Sequence, residues 1–535
     1  MNSMNIEKHR IKISKEKMLK KLPKNIELNL ISEDFKLKTK PMRTQSGVAP
    51  VAIMTEPREC PHGTCTFCPG GVNSYFGSVP KSYTGNEPAS MRAIRNKFDA
   101  YLQVFNRLEH YILLGQIPEK VELIIMGGTF LSYPVDYQDN FIRDAFQAMN
   151  DFGELFFENE RLNETKFKEF FNFNLDFKSE ERTKTIHEKL LSLKRETGLG
   201  EEQIKNETSK IRCVALVIET KPDWCFEEHI NQALKLGATR IEVGVQSLDD
   251  KVLKKVNRGH DVADTIKSFE LLKNAGYKVI AHWMIGLPGV VVEDEVENFK
   301  KLFLDPNFRP DGLKIYPCMV MPGTPLYAQY KKGLFKPLRT REAAETVSEC
   351  KKFIPKYCRV YRINRDIPTK VTIDGVGLTN FRQVVHELMK KKDIKCECIR
   401  CREPRDKKVN WGNVNLNRID YEASNGKEIF LSFDDDDTLL GFLRLRFPNK
   451  SFRNEITGDS AIVREVHVYG EATPIGKEGE IQHRGLGKKL MKEAEKISKE
   501  AGKNKMVVIS GIGVKEYFYK LGYKKDGVYV SKSLR

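Results

Sequence analysis

The sequence predicts an α/β protein: a partial (β/α)6 barrel followed by a smaller α+β domain. Three observations predict it. Between residues 46 and about 330, six short apolar runs alternate with amphipathic helical stretches, the pattern of a parallel sheet covered by helices. Six such units are too few for a closed eight-stranded barrel. From about residue 411 the texture changes to strand-like runs joined by turns, then a glycine-rich turn and a long helix.

The elements follow in order. Residues 1–45 hold twelve Lys/Arg, among them Lys17, Lys20, Lys21, Lys24 and Arg43. Ile11, Ile13, Met18 and Leu19 add an imperfect helical stripe. The stretch reads as a basic N-terminal arm, either solvated or contacting phosphates. In the barrel region, 46–330, strands are expected at 51–55, 121–126, 211–219, 240–246, 278–285 and 312–316. Helices are expected over 91–115, 138–150, 227–236, 262–275 and 292–304. Residues 151–210, rich in Phe, Lys and Glu, interrupt the alternation and read as a helical insertion (164–172 and 182–197). Residues 331–410 read as a basic helical connector, with Lys390-Lys391-Lys392 ahead of a cysteine loop at 396–401. In the last domain, 411–535, strands are expected at 428–433, 439–447, 461–469 and 505–510, with helices at 488–501 and 514–520.

Composition narrows the class. The 535 residues suffice for two or three cores. Apolar content of 40% and charge of 30% are ordinary for a soluble chain, but a net charge of +17 is not. It points to a polyanionic partner, most simply nucleic acid, over the competing reading of a lysine-rich, heat-adapted proteome. The eleven cysteines include two clusters, 60/65/68 and 396/398/401. Clusters without an even framework argue for metal in a reducing cytosol, not for disulfides. The N-terminus is basic without an apolar core, and no apolar run reaches membrane-spanning length. The expected location is cytoplasmic, with no membrane partner.

The chemistry centres on Cys60-Pro-His-Gly-Thr-Cys65-Thr-Phe-Cys68-Pro-Gly-Gly71. A Gly/Pro-rich loop cannot pack as a core element, but it can wrap three soft thiolates around one inorganic centre. A structural zinc takes four protein ligands, so zinc here would have to borrow His62. Three thiolates on a four-iron cluster instead leave one iron open to a small molecule. The loop follows the first strand, where barrels place their chemistry. Other polar or flexible groups close later strands: Gly127-Gly128-Thr129, Glu219, Gly286 to Gly289 and Lys314, with Arg258 and His260 near by. In Ile241 to Ser247, period two puts Glu242, Gly244 and Gln246 on one face. Such a face is costly to bury without a partner such as a ligand. Cys396, Cys398 and Cys401 suggest a structural zinc, with Cys318, Cys358 and His386 as candidates for the fourth ligand. The competing reading is a reduced cluster without metal.

In the last domain, Gln482-His-Arg-Gly485-Leu-Gly487 precedes a long helix. Backbone N–H groups and the helix dipole there suit a diphosphate. With the strand Arg464 to Gly470 before it and Tyr517-Phe518-Tyr519 to Tyr523 after it, the stretch resembles the coenzyme A site of GNAT acetyltransferases. In that family a tyrosine near the coenzyme A sulfur can act as an acid to the departing thiolate. Tyr517 is the candidate, with Phe518 packing beside the thioester. Tyr519 and Tyr523 read as core.

The cysteine loop and the strand-end groups together resemble a radical S-adenosylmethionine (SAM) enzyme, although C-x4-C-x2-C replaces the usual C-x3-C-x2-C. A radical SAM barrel followed by a GNAT domain closely resembles the catalytic subunit of Elongator, in its stand-alone archaeal form. The stretches that carry the resemblance are Cys68 to Gly71, Ser82 to Arg95, Val121 to Phe130, Glu219 to Asp223 and Gln482 to Gly487. Eukaryotic members have a longer gap between the first two cysteines and tend to show two adjacent tyrosines where this chain has Tyr517-Phe518. The resemblance implies a tRNA-modifying enzyme that forms 5-carboxymethyluridine at wobble U34 from acetyl-CoA by SAM-dependent radical chemistry. It implies a [4Fe-4S] cluster on Cys60, Cys65 and Cys68, reduced by an external electron donor. It places the methionyl amino group of SAM at Gly127, Gly128 and Thr129, with Glu219, Glu242 and Gln246 also facing cofactor. For acetyl-CoA it implies Lys120, Glu465, Val466, His467, Val468, Leu486, Gly487, Lys488 and Phe518, beside Gln482 and Gly485 of the loop. Tyr517 and Lys314 are the candidate catalytic residues. The alternatives are a protein lysine acetyltransferase with a structural iron–sulfur cluster and a non-enzymatic tRNA-binding scaffold. Whether the chain forms a homo-oligomer is left open.

Overall fold

The structure, a computed structural model, describes residues 28–29, 47–173, 179–405, 407–470 and 484–535. Nearly all of the basic arm, and Gln482, lie outside them. The first sheet is parallel and has seven strands: β1 (Val48–Met54), β2 (Lys120–Met126), β3 (Arg212–Thr220), β4 (Arg240–Gln246), β5 (Lys278–Ile285), β6 (Gly312–Pro317) and β7 (Arg359–Ile363), in that order across the sheet. Six are the expected ones, and the fold is the expected partial barrel with a second sheet domain after it. The seventh corrects the reading of 331–410 as a purely helical connector. Its signal is weak because Val360 and Ile363 are the buried positions of a five-residue strand whose other members are Arg359, Tyr361 and Arg362.

Period two sorts the side chains. In β2, Val121, Leu123 and Ile125 are fully buried against the covering helices. Glu122, Ile124 and Met126 face the barrel interior. The helix expected over 91–115 is two helices, Pro88–Arg95 and Ala100–Leu113. Lys97 and Phe98 break it with φ of 52° and 57°, and Asp99 caps the second by accepting from the Leu102 N–H at 2.9 Å. The 151–210 stretch thickens the helical layer. Phe152, Phe156, Phe167 and Phe171 are fully buried in it, and Arg182 reaches back to Glu109 at 2.6 Å.

The second sheet comprises β8 (Val414–Glu422), β9 (Gly426–Asp435), β10 (Thr438–Pro448), β11 (Ser460–Val468), β12 (Lys505–Val508), β13 (Lys524–Asp526) and β14 (Tyr529–Ser533), in the order β8-β9-β10-β11-β12-β14-β13. One face, with Ile429, Leu431, Leu443, Leu445 and Val463, packs on the helix Leu486–Glu500. The other face, with Phe430, Phe442, Ile462 and Val507, belongs to the same apolar core as the barrel. The two domains are therefore packed as one body.

Buried charge lies at that junction. Asp311, just before β6, accepts two hydrogen bonds from Arg464 at 2.7 Å each. Arg464 also binds Glu428 at 2.8 Å, and Glu428 accepts from Arg446 at 2.7 Å. Arg446 donates to Asn274 in the barrel's helical layer. Arg444 pairs with Glu465, which in turn pairs with Lys278 of β5. Burial alone would raise the Asp311 and Glu465 carboxyls. Arg464 and Arg444 outweigh it at Asp311, and Lys278 and Arg444 at Glu465, which is pulled down to about 2.

Removing one partner from such a network leaves the other charges buried and unpaired, which costs about 3–5 kcal/mol. Arg464→Met is expected to lose that much in urea unfolding of the whole chain. Both carboxyls have folded pKa values below their unfolded ones, so their contribution is present above about pH 4 and is lost as pH falls toward 2. Glu465→Gln is expected to lose up to about 3 kcal/mol at pH 7 and to show a shallower acid limb in thermal melts.

Candidate functional site

The cysteine loop lies across the C-terminal ends of the strands, over a cavity of about 680 Å³. Cys65 and Cys68 are buried and Cys60 half-buried. Cys65 Sγ lies 3.2 Å from His62 Nε2 and receives Arg258 Nη1 at 3.3 Å. Cys68 Sγ receives the Ser82 N–H at 3.2 Å. Burial, and then the neighbouring cysteines, push the Cys60 thiol up to about 11, so a bound cation is what would make Cys60 a thiolate. Cys396, Cys398 and Cys401 place their sulfurs within 4.8 Å of one another, but Cys60, Cys65 and Cys68 form no such group, with or without His62. That spread disfavours one zinc ion and fits a larger inorganic cluster.

The turn after β2 is shaped for this loop. A Cβ on Gly127 would stand 2.2 Å from Thr55 Oγ1, and its φ is 131°, so only glycine fits. Thr129 Oγ1 then sits 3.9 Å from Cys60 Sγ, and Gly128 lies against the same cysteine. Further into the barrel, Glu242 is 1% exposed and binds His282 at 3.0 Å and Lys314. Lys314 also donates to Glu219 at 3.3 Å, and Glu219 accepts from the Tyr83 hydroxyl at 3.1 Å. Burial would raise Glu242, but Lys314, then His282 and Arg240, outweigh it and hold the carboxyl well below the usual range. Lys314 is pushed up by the same carboxylate against its own burial. Its ammonium pairs with two of the three groups, Glu219, Glu242 and His282, that could otherwise gather a metal ion. Gln246 closes the strand at φ 69° and lines the cavity.

A second cavity, of about 470 Å³, opens at the N-terminal ends of the strands. Barrel residues Glu122, Arg240, Lys278 and Tyr361 line it, and so do Glu465, Val466, His467 and Phe518 of the second domain. Pro50 lines both cavities. β11 pairs with β12 only from Ser460 to Val463. Beyond that the two strands part, and residues 465–468 keep β10 on one side and lack a strand partner on the other. The helix Leu486–Glu500 starts there from Gly485. A Cβ on Gly487 would meet the Tyr517 hydroxyl at 3.0 Å, so the small residue seats Tyr517 at the helix start. Burial raises the Tyr517 hydroxyl. Phe518 meets Tyr517 edge-on at 5.2 Å. Lys488 is in the helix's first turn, and Lys120 pairs in register with Arg212, which lies 3.9 Å from Glu516.

The structure thus gathers Cys60, Cys65, Cys68, Gly128, Thr129, Glu219, Gln246 and Lys314 around one cavity and Glu465, Val466, His467 and Phe518 around the other, while Cys396, Cys398 and Cys401 form a separate cluster. Tyr83, His282 and Arg240 were not singled out from sequence. Alternation along β5 would have pointed to His282, since Lys278, His282 and Met284 share the inner face. Cys318 packs with Cys65, Cys68 and Leu326, away from Cys396. His386 Nε2 is buried without a partner among the described residues. Among those residues no helix is long and apolar enough to cross a membrane.

This arrangement, a cysteine-capped partial barrel joined to an acyl-CoA-type sheet, defines a radical SAM protein fused to an acetyltransferase domain. Comparisons agree: residues 57–302 match the radical SAM superfamily, 310–391 the radical SAM C-terminal domain, and 397–523 the acetyltransferase (GNAT) family. The tRNA uridine(34) acetyltransferase of Methanocaldococcus infernus is 48% identical over 93% of this chain and 88% of its own. Elongator complex protein 3 of Saccharomyces cerevisiae is 39% identical over 98% and 91%. The solved structure of archaeal Methanocaldococcus infernus Elp3 with an N-terminal deletion superimposes with a TM-score of 0.74 and 42% identity, covering 91% of this chain and 99% of that one. The chain belongs to the family of the tRNA uridine(34) acetyltransferases and Elongator complex protein 3.

Gly127→Ala is expected to displace the 55–60 segment and lower the iron retained on anaerobic reconstitution by at least about twofold. Iron per folded chain, with circular dichroism as the fold control, checks it.

Proposed function

We propose that this protein builds a 5-carboxymethyl group on wobble uridine U34 of tRNA from acetyl-CoA, by SAM-dependent radical chemistry. The observation that carries this reading is a single barrel with a cavity at each mouth and Pro50 in the wall of both. Three cysteines cap one cavity, and the open edge of an acetyltransferase sheet faces the other. Relatives named for uridine 34 of tRNA support the substrate class, and the net charge of +17 supports a nucleic-acid partner.

When bound at Cys60, Cys65 and Cys68, a [4Fe-4S] cluster with SAM supplies a 5′-deoxyadenosyl radical able to take hydrogen from the acetyl methyl. The chain's own groups do the rest. The Gly127-Gly128-Thr129 backbone receives the methionyl amino group, and Glu219, Glu242 and Gln246 set the polar wall of that cavity. Lys314 holds its proton at Nζ, beside any anion that develops there. Residues 465–468 pair with the pantetheine arm, while Gly485, Leu486, Gly487 and Lys488 receive the diphosphate at the helix start. Lys120 adds positive charge. Because burial raises its hydroxyl, Tyr517 keeps its proton at neutral pH and can give it to the departing thiolate. Phe518 walls the thioester.

Cys396, Cys398 and Cys401 hold a structural zinc. Their clustered sulfurs support this. The basic arm contacts tRNA. The enzyme works in the cytoplasm, with an external electron donor.

The test is anaerobic. Reconstituted protein with tRNA, reductant, SAM and isotope-labelled acetyl-CoA should give labelled carboxymethyluridine by nucleoside mass spectrometry, only when SAM is present. Labelled protein without a SAM requirement would favour a lysine acetyltransferase instead. Tyr517→Phe is expected to lower product formation about 10²-fold, the scale of a lost general acid, with acetyl-CoA affinity nearly kept. Cys398→Ala should reduce zinc per chain in metal analysis while leaving the iron content of the cluster site in place.

A further inference from the structure

His62 stands among the three cysteines of the loop, and the chemistry above leaves it without a role. Its two ring nitrogens face different neighbours. Nε2 lies 3.2 Å from Cys65 Sγ, and Nδ1 lies 3.0 Å from Lys221 Nζ. Lys221, directly after β3, is 4% exposed and is held by Asp223 at 3.1 Å. A Cβ on Gly259 would stand 2.3 Å from His62 Cβ, and its φ is 71°, so glycine there leaves the ring its place.

An ammonium has three donors and no acceptor. His62 Nδ1 must therefore accept from Lys221, and the one hydrogen of the neutral ring goes to Nε2, aimed at Cys65 Sγ. That assignment separates two roles. A neutral histidine that ligates a metal through Nε2 carries its hydrogen on Nδ1 and donates it to an acceptor. Here Nδ1 meets a donor, so His62 serves a cysteine as a hydrogen-bond donor and is not a metal ligand. Cys65 Sγ also receives Arg258 Nη1 at 3.3 Å, and Arg258 is fixed by donating from Nη2 to Gly244 O at 2.7 Å. Cys65 thus gathers two side-chain N–H bonds. Cys68 receives the Ser82 backbone N–H at 3.2 Å, and Cys60 has Thr129 Oγ1 at 3.9 Å. N–H bonds to a ligating sulfur draw electron density away from an iron–sulfur centre and make it easier to reduce.

We propose that Lys221 is a positioning residue that locks His62 as an Nε2–H donor to Cys65, and that this pair raises the reduction potential of the bound cluster. The inference rests on the [4Fe-4S] reading above and adds which residues set the ease of its reduction by the external donor.

The test is a mediator titration of the reconstituted full chain without SAM, read by the electron paramagnetic resonance signal of the reduced cluster. At the wild-type midpoint half of the cluster is reduced. In His62→Phe the reduced-to-oxidised ratio at that potential should fall about tenfold, the scale of one hydrogen bond to a charged group, or about 59 mV for one electron. Iron per chain should be kept. Lys221→Met with Asp223→Asn, which removes both charges together, should show a similar fall. Lys221→Arg, which still donates to Nδ1, should stay within about twofold of wild type. The triple variant, with His62→Phe added to the pair, should match His62→Phe alone, because Lys221 acts through the ring; a merely structural role would make the losses add. A second readout needs no cluster. Nitrogen-15 shifts of His62 in the full apo chain, assigned with His62→Phe, should show a protonated Nε2 and a bare Nδ1. An unchanged or raised potential in His62→Phe, additive losses in the triple variant, or a protonated Nδ1 overturns the proposal. So does loss of iron from His62→Phe with circular dichroism unchanged, which would make the histidine a ligand. A wild type that gives no [4Fe-4S] signal on reduction would instead overturn the cluster reading itself.

Discussion

The buried contact between Asp311 and Arg464 is the constraint on which the two-domain arrangement depends. Apolar area alone would let the second sheet slide on the base of the barrel, because hydrophobic attraction is not directional. Charges that must be paired within a dry interface do not tolerate sliding. Asp311 takes two bonds from Arg464, Glu428 shares Arg464 with Arg446, and Arg446 reaches Asn274 of the barrel's helical layer. Each group has one geometry that satisfies it. The network therefore sets where β11 lies relative to the N-terminal mouth, and with it the cavity that both domains line.

The barrel interior follows a second constraint. A closed barrel fills its middle with branched apolar side chains. Here the sheet is open, and its inner face carries Glu122, Arg240, Glu242, Lys314 and His282. Each charge is balanced by the next, so the layer survives burial without becoming a packed plug. Long, paired polar side chains fill the middle in place of such apolar packing.

Much of this was legible in the chain. Alternating apolar and amphipathic stretches determined the six strands, because a strand covered by helices must be apolar on its outer face. Three cysteines in a Gly/Pro loop pointed to a soft-metal site, and Gly485-Leu-Gly487 before an amphipathic helix pointed to an anion-binding helix start. These signals are local, and each needs only a few neighbouring residues. The seventh strand was illegible because its inner face is arginine and tyrosine, which reads as a basic connector until β6 lies beside it.

The sequence by itself determined which chemistries the protein carries. Only the tertiary structure decided how they are related in space. No local pattern announces that Pro50 lies in the wall of both cavities, that Lys314 sits between Glu219 and Glu242, or that Arg240 faces the second domain. The same holds for the two cysteine clusters. Both have three thiols within nine residues, but only packing spreads the first and gathers the second. The reason is physical: spacing along the chain sets which side chains can meet within one loop or face, whereas pairing of buried charge across distant strands is settled only when the sheets close on each other.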